Sequence, residues 1–224
     1  MTTVHPLRRV ALLCGLAVLA APAIAQDAYP SKPITIVVGY PPGGSTDLTA
    51  RTVATELGNK LGVPVVIENL GGAGGAIGAQ KVANAAPDGY TLLVGANNEI
   101  AINKLVTKKV KYDIKDFTAI GLIASQPLVL VASTGAGVKN MAEFTQKVSK
   151  NPGKFSYGSS GVGTALHLAG EMVKEQAGLF MTHIPYRGVA PLTNDLVGNN
   201  LEFGVFVLSS GLPHIKSGKV IALG

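Results

Sequence analysis

The chain has 224 residues, of which 47% are apolar and only 14% are charged, and its formal net charge is +6. Its lysines are scattered except at 104–115, where no run of aromatic residues alternates with them for base stacking, so a solvated face explains that cluster better than a nucleic-acid surface. The single cysteine, Cys14, lies in the N-terminal apolar run, which leaves the rest of the chain without disulfide or thiol chemistry.

The N-terminal residues have the pattern of a secretory signal. A basic start at 5–9 precedes an apolar run at 10–21, and Ala23-Ile24-Ala25 provides an A-x-A cleavage site before Gln26. The apolar run is short for a membrane span, which needs about 20 residues, so a signal peptide over 1–25 is favoured over a membrane anchor. We therefore expect export to the periplasm and a mature chain that begins near Gln26.

In the first half of the chain, strand patterns alternate with helix patterns. We predict strands at 34–38, 63–68 and 90–95, and helices at 47–61 and 76–85. The strands are apolar throughout, which indicates that both faces of their sheet are covered, as in a parallel sheet of β-α-β units.

The same alternation restarts after residue 126. We predict strands at 128–133, 155–158, 182–186 and 201–207, separated by helices at 141–150, 164–176 and 190–197. This pattern predicts two α/β lobes, at 26–128 and 129–224. The last residues, 219–224, look like the start of a strand with no terminating structure after it, so we expect a C-terminal truncation that leaves this strand without a partner.

The first predicted strand is followed by a Pro/Gly loop at 41–44 and then by a helix that starts at Ser45, Thr46 or Asp47. A strand, a tight glycine turn and a helix start together present free backbone N–H groups, which bind an anion without a cationic side chain. Asp47 is a candidate cap for this helix. A plain loop and cap without a ligand is the alternative.

Glycines are dense at 71–78, again between a strand and a helix. The spacing of a dinucleotide site fails there, because Ile77 stands where a third small residue is needed. A ligand loop lined by backbone is the better interpretation, and a structural turn is the alternative.

A third segment, 157–164, repeats the strand-loop-helix arrangement with added hydroxyl side chains. Hydroxyls and N–H groups at a helix start are suited to holding a carboxylate. A serine hydrolase is the competing interpretation, with Ser159 or Ser160 as nucleophile, but Tyr157 and Val162 stand where the nucleophile turn of that class has glycine. Neither a general base nor an orienting acid is assignable from the sequence.

Other polar residues carry weaker signals. His167 and Glu171 are four residues apart on one predicted helix, but two ligands do not make a metal site, and His183 and His214 lie in other segments. We therefore expect no metal ion and no cofactor. Arg187, which with Arg51 is one of two arginines outside the signal peptide, is a candidate support for a cleft loop.

Together these segments resemble the Bug family, the extracytoplasmic solute receptors of tripartite tricarboxylate transporters. The matching segments run in family order over nearly the whole mature chain: Pro30-Ser31-Lys32-Pro33-Ile34, Pro42-Gly43-Gly44-x-x-Asp47, Ala50-Arg51, Glu68-Asn69, Gly72-Ala73-Gly74-Gly75, Pro87-Asp88-Gly89-Tyr90-Thr91-Leu92-Leu93, Tyr112-Asp113, Tyr157-Gly158-Ser159, Gly161-x-Gly163-Thr164-x-x-His167-Leu168, Pro185-Tyr186-Arg187-Gly188 and Pro213-His214-Ile215. Each is short, but together they are highly specific.

The resemblance implies a two-lobed α/β clamshell of the type II periplasmic binding proteins, which holds a small carboxylate between its lobes. It implies ligand-binding residues on three loops: Tyr40, Pro42, Gly43, Gly44, Ser45 and Asp47 on the first, Ala73 and Gly74 on the second, and Ser159, Ser160, Gly161, Val162, Gly163 and Thr164 on the third, with His167 and Tyr186 at the margin. It further implies a monomeric, non-enzymatic protein that serves inner-membrane transporter subunits. A receptor for a sensor kinase is an alternative.

Three places depart from the family pattern. Gly39 stands where the family usually has proline, and Leu70-Gly71 stands where it usually has a basic residue and proline. Phe206 falls where an acidic residue is common. We expect the change at Phe206 to alter ligand choice or the floor of the cleft.

Overall fold

The strands of the molecule divide between two sheets. The computed structural model describes residues 28–108 and 110–224, and the predicted signal peptide at 1–25 lies outside these residues. Residues 32–224 form one compact unit that contains both sheets. Among the described residues, no helix is both long enough and apolar enough to cross a membrane.

The first sheet has three parallel strands in the order β2-β1-β3. Its strands are β1 (Ile34–Val38), β2 (Val65–Asn69) and β3 (Thr91–Val94), with α1 (Ser45–Leu61) after β1 and α2 (Ala76–Ala83) after β2. The central strand β1, with the sequence ITIVV, is rich in β-branched residues that favour a pleated, buried surface. All three strands therefore end at the same edge, and the loops after β1 and β2 lie there together.

The second sheet has five strands in the order β6-β5-β7-β4-β8. Its strands are β4 (Leu128–Ser133), β5 (Ser156–Ser159), β6 (Thr182–Pro185), β7 (Phe203–Val207) and β8 (Val220–Ala222). The elements between β3 and β4 and around this sheet are α3 (Asn103–Val106), α4 (Met141–Ser149), α5 (Ala165–Ala177), α6 (Val189–Val197) and α7 (Leu208–Lys216). The boundary predicted between residues 128 and 129 falls one residue inside β4, the first strand of the second sheet. The division into two lobes stays a prediction.

The larger hydrophobic core covers the second sheet. Phe144 of α4 and Phe203 of β7 are fully buried and pack edge to face, with ring centroids 4.8 Å apart. Phe206 is also fully buried in this core. Phenylalanine at this position, where the family commonly has an acidic residue, therefore adds apolar packing to the core of the second sheet.

Two sequence-based expectations about strand pairing are wrong. β4 runs antiparallel to both β7 and β8, so the second sheet is mixed rather than parallel. The final strand has a partner, because the Leu130 N–H donates to Gly224 O at 2.7 Å and the Leu223 N–H donates to Leu130 O at 2.9 Å. An apolar run indicates a strand covered on both faces, but it does not encode the direction of its neighbours.

Besides short 3-10 turns, three elements of the described residues were not predicted. They are a π-helical turn at Asn98–Ile102, the short helix α3 that continues it, and α7. α7 contains Pro213 in its interior, a residue that ordinarily ends or kinks a helix. The π-helical turn proves important, because it carries side chains into the candidate site.

Candidate functional site

The first candidate loop connects β1 to α1. Gly44 is the N-cap of α1 and has no side chain to cap the helix. Within the part of the chain that the structure describes, the N–H groups of Gly44, Ser45 and Thr46 have no hydrogen-bond partner. A helix start with open N–H groups carries a partial positive charge, so these donors are available to an anion. Pro42 and Gly43 are exposed beside them.

Asp47 is buried, and both of its carboxylate oxygens are already engaged. Oδ2 accepts hydrogen bonds from the Gly43 N–H at 2.9 Å and from Arg51 Nε at 3.0 Å, and Oδ1 accepts one from Asn69 Nδ2 at 2.9 Å. Burial raises the pKa of Asp47, but these hydrogen bonds outweigh it and hold the pKa below its usual value. Asp47 therefore shapes the loop, and Arg51 is occupied by Asp47 and Asn69.

The second candidate loop, 71–75, is a run of left-handed backbone. Gly72, Gly74 and Gly75 have φ values of 132°, 62° and 88°, and Ala73, which is exposed, has 50°. Glycine adopts these angles without strain. Gly74 O accepts hydrogen bonds from Tyr40 Oη at 3.2 Å and from Asn103 Nδ2 at 3.0 Å, and these bonds fix the loop against its neighbours.

The third candidate loop connects β5 to α5. Thr164 is the N-cap of α5: its hydroxyl accepts from the His167 N–H at 3.3 Å and donates to Gly161 O at 2.8 Å. The Ser160 hydroxyl donates to Thr164 Oγ1 at 3.2 Å. The hydroxyls of Ser160 and Thr164 therefore stabilise the loop itself.

Several backbone donors of the third loop already have acceptors within the protein. The Gly161 N–H donates to Ser159 Oγ at 3.2 Å, and the Gly163 N–H donates to His167 Nδ1 at 3.0 Å. Among the described residues, the N–H groups of Ser160, Val162 and Leu166 have no such partner. These are the donors that remain for a ligand, and Val162 is exposed beside them.

The second and third loops touch each other. A Cβ added at Gly74 would lie 3.4 Å from Thr164 Cγ2, and one added at Gly163 would lie 2.5 Å from Val106 Cγ2. The absence of side chains at both glycines lets the loops of the two sheets approach. A Cβ added at Gly188 would lie 3.0 Å from Pro41 Cδ, so the loop before α1 also reaches the second half of the chain. The loops that lead into α1 and α5 are thus parts of one junction between the sheets.

Asn98, Glu99 and Asn103 complete this junction, and sequence reasoning missed them. All three are buried on the π-helical turn and α3 that follow β3. Asn98 Nδ2 donates to Tyr40 Oη at 2.6 Å, and Asn98 Oδ1 accepts from the Ala165 N–H at 2.7 Å. The available signal was a set of polar residues just after a strand, at the sheet edge where α/β proteins bind ligands.

Glu99 is a buried carboxyl with one oxygen unsatisfied. Oε2 accepts from the Ala96 N–H at 2.9 Å, whereas Oε1 has no hydrogen-bond partner in the described structure. Burial raises the pKa of Glu99 to about 7. A Cβ at Gly75 would lie only 2.3 Å from Oε1, and one at Gly39 would lie 3.1 Å from it. The Glu99 carboxyl therefore occupies the space that side chains at Gly39 and Gly75 would need. Gly39 is the residue that stands where the family usually has proline.

Ser159 lies within hydrogen-bond distance of a histidine, but no described acidic side chain orients that histidine as a base. Ser159 Oγ is 2.7 Å from His183 Nε2 and 3.1 Å from its acceptor Gly161 O. Ser159 is fully buried, and no described carboxyl group hydrogen-bonds to His183. Burial lowers the pKa of His183 to about 4. Among the described residues, Ser159 and His183 therefore lack the third group that orients the base in hydrolases.

His167 and His183 stack, with ring centroids 4.0 Å apart. His167 Nε2 is 3.8 Å from Glu171 Oε1, but the described residues contain no group of three or more potential metal ligands. The Tyr186 hydroxyl donates to Asp195 at 2.6 Å. Burial, together with this hydrogen bond, raises the pKa of Tyr186 to about 12. Both residues contact the third loop: His167 Nδ1 accepts from the Gly163 N–H, and the Tyr186 N–H donates to Ser159 O at 3.0 Å.

Comparison with known proteins decides the family. A family model described as "Tripartite tricarboxylate transporter family receptor" matches residues 49–224. The chain belongs to this receptor family. It is 39% identical over 218 residues to a UPF0065 protein of Bordetella pertussis and 33% identical over 216 residues to protein BugT of the same species. These matches cover 97% and 96% of this chain, and 67% and 66% of the two relatives. The resemblance to the Bug receptors is confirmed.

Solved structures of similar proteins confirm the α/β periplasmic-binding-protein fold of this receptor. The structure of R. palustris Rpa4515 with adipate is 32% identical, with a TM-score of 0.85, and MatC from Rhodopseudomonas palustris with bound malate is 30% identical, with a TM-score of 0.81. They match 88% and 87% of this chain, and 66% of each solved chain. The chain thus spans about two thirds of the length of the proteins that it matches.

Proposed function

We propose that this receptor captures a small carboxylate in the periplasm and delivers it to the inner-membrane subunits of an uptake transporter. The ligand lies between two lobes, 26–128 and 129–224, and contacts the loops at 40–47, 71–75 and 159–164. The protein acts as a monomer and changes no covalent bond of its ligand. The signal peptide at 1–25 directs its export.

The observation that carries this proposal is the pair of helix starts at one junction. α1 presents the open N–H groups of Gly44, Ser45 and Thr46, and α5 presents those of Ser160, Val162 and Leu166. Each helix start contributes about half a positive charge. A single carboxylate at this junction can accept hydrogen bonds from both helix starts. A ligand with two carboxylates can instead place one at each helix start.

The charges near the loops support recognition by backbone donors. The three loops contain neither lysine nor arginine. Arg51, the nearest arginine in the sequence, is already held by Asp47 and Asn69. The ligands named for two similar structures, adipate and malate, are both dicarboxylates, which is consistent with two donor sets.

A thermal-shift and calorimetry screen tests the proposal. The probes are malate, adipate and citrate, each compared with its neutral amide as a matched control. A carboxylate present at about 100 times its Kd is expected to add roughly 2.7 kcal/mol of stability, while the amide adds none. Failure of a broad set of small carboxylates to bind the folded chain would overturn the proposal, and so would turnover of a chromogenic ester that depends on Ser159.

A further inference from the structure

One hydrogen bond joins the loops of the first sheet to those of the second. Asn98 Oδ1 accepts from the Ala165 N–H, the first N–H of α5, at 2.7 Å. Between residues 39–47, 71–75 and 96–106 on one side and 156–197 on the other, the described structure contains no second hydrogen bond and no ion pair. One side chain therefore carries the whole polar connection across the junction.

The Asn98 side chain is held in a single orientation by its neighbours. The Tyr40 hydroxyl donates to Gly74 O at 3.2 Å and therefore accepts from Asn98 Nδ2, which is 2.6 Å away. The amide oxygen must then face the Ala165 N–H. Asn98 is 5% exposed and Tyr40 is 9% exposed, so water does not compete effectively for either bond.

Shape complementarity around this bond is made by small residues. Gly74 lies against Thr164, and Gly163 lies against Val106. These contacts are apolar and undirected, so they allow the loops to meet without fixing their register. The Asn98 bond is directional and fixes the start of α5 relative to Tyr40.

We propose that Asn98 is a positioning residue for ligand binding, which holds the start of α5 against the loop that leads into α1 before the ligand arrives. This proposal rests on the proposed function. The apparent affinity of a receptor is its intrinsic affinity scaled by the fraction of molecules in the binding-competent arrangement. Asn98 raises that fraction without contacting the ligand. Loss of its bond weakens apparent binding by roughly three- to tenfold, as expected for one buried hydrogen bond.

Two substitutions remove the bond from opposite sides. Ala165→Pro removes only the donor, because proline is favoured at the first position of a helix. The preceding residue, Thr164, has φ −75° and ψ 162°, the extended conformation that a following proline requires. Asn98→Leu removes the acceptor at similar size. Asn98→Asp is the control for the bond across the junction: it loses the donor to Tyr40 but keeps an oxygen that can accept from the Ala165 N–H.

The readout is the distance between the two sheets in the ligand-free protein, measured by pulsed electron paramagnetic resonance. Spin labels are placed at Glu56→Cys and Gln176→Cys, both exposed, in the full chain with Cys14→Ser. We expect one short distance for the unsubstituted chain and for Asn98→Asp. We expect longer distances to appear in Ala165→Pro and Asn98→Leu.

Unchanged distances in a folded Ala165→Pro variant would overturn the proposal, and this variant decides the question if Asn98→Leu does not fold. Because the distance is measured without ligand, the result is independent of whether any carboxylate binds. With the carboxylate from the screen, both variants are expected to bind more weakly but to keep the same ranking of ligands. Weaker binding with unchanged distances would make Asn98 a ligand contact instead and would equally overturn the positioning role.

Discussion

At the scale of single residues, Glu99 is a carboxyl that the fold keeps out of water without giving it a full set of partners. It is 1% exposed, and its Oε1 atom lies close to glycine backbone and has no hydrogen-bond partner among the described residues. Burying a charge without compensation costs more than burying the neutral acid, which is why its pKa rises. The neutral acid can also donate a hydrogen bond, which the carboxylate cannot.

The titration of Glu99 predicts a loss of stability as pH rises. Its pKa is about 7 in the folded protein against an ordinary value of 4.5. The contribution of this group is therefore fully present below pH 4.5 and is lost as pH rises through about 7. A shift of this size corresponds to roughly 3 kcal/mol. Urea unfolding of the unsubstituted chain and of Glu99→Gln, measured from pH 4.5 to 8, gives their free energies of unfolding. We expect the unsubstituted chain to lose stability relative to Glu99→Gln as pH rises.

Comparison with Glu99→Gln isolates this effect from other titrations. The pKa of His183 is lowered to about 4 by burial, so its contribution has the opposite sign and is lost as pH falls below 6.5. That contribution is common to both proteins and cancels in the difference. Stability curves that run parallel across the pH range would contradict the assignment of Glu99.

At the scale of elements, the start of α5 depends on one hydroxyl. Thr164 is fully buried, and its hydroxyl caps the His167 N–H while it donates to Gly161 O. Thr164→Val keeps the shape but removes both bonds, so we expect a loss of about 1–2 kcal/mol in the free energy of unfolding. Thr164→Ser keeps the hydroxyl and is the control. Urea unfolding measures both variants, and an equal loss in the two would show that the methyl group matters instead of the cap.

The strand-loop-helix elements were largely predictable because their signals are local. Apolar strands, glycine turns and helix starts predict β1 with its loop, α1, β5 and α5. The observed ends of these elements differ from the predicted ones by at most two residues. The direction of β4 was not predictable, because an antiparallel partner leaves the same apolar pattern as a parallel one. α7 was hidden by Pro213 in its interior.

The candidate site was only partly predictable for a related reason. The sequence pointed to the three loops, since glycines and hydroxyls between strands and helices favour a backbone-lined ligand site, with a structural turn as the alternative. It did not show which donors are already taken, such as Gly43 N–H by Asp47 and Gly163 N–H by His167. It also missed Asn98, because its partners Tyr40 and Ala165 are 58 and 67 residues away along the chain. Such partners become visible only when both sheets are assembled.

At the scale of the whole molecule, the question is whether backbone donors or a cationic side chain hold the ligand. Arg187 is exposed and makes no ion pair among the described residues. Gly161 instead lies between Ser160 and Val162, whose N–H groups remain open, and its φ of 139° suits glycine alone. A Cβ there would be 3.5 Å from Tyr186 O, an ordinary van der Waals contact, so the cost is confined to the backbone.

We therefore expect Gly161→Ala to weaken carboxylate binding at least tenfold and Arg187→Ala to leave it within about twofold. An alanine at Gly161 forces the loop out of its left-handed conformation, which misdirects the neighbouring donors. Gly178→Ala is the matched control, because Gly178 also has a positive φ of 61° but lies at the far end of α5 with nothing within 4 Å of an added Cβ. It is expected to lower the melting temperature without changing Kd. Calorimetry on the three folded variants measures this, and loss of binding in Arg187→Ala with normal binding in Gly161→Ala would refute recognition by backbone donors.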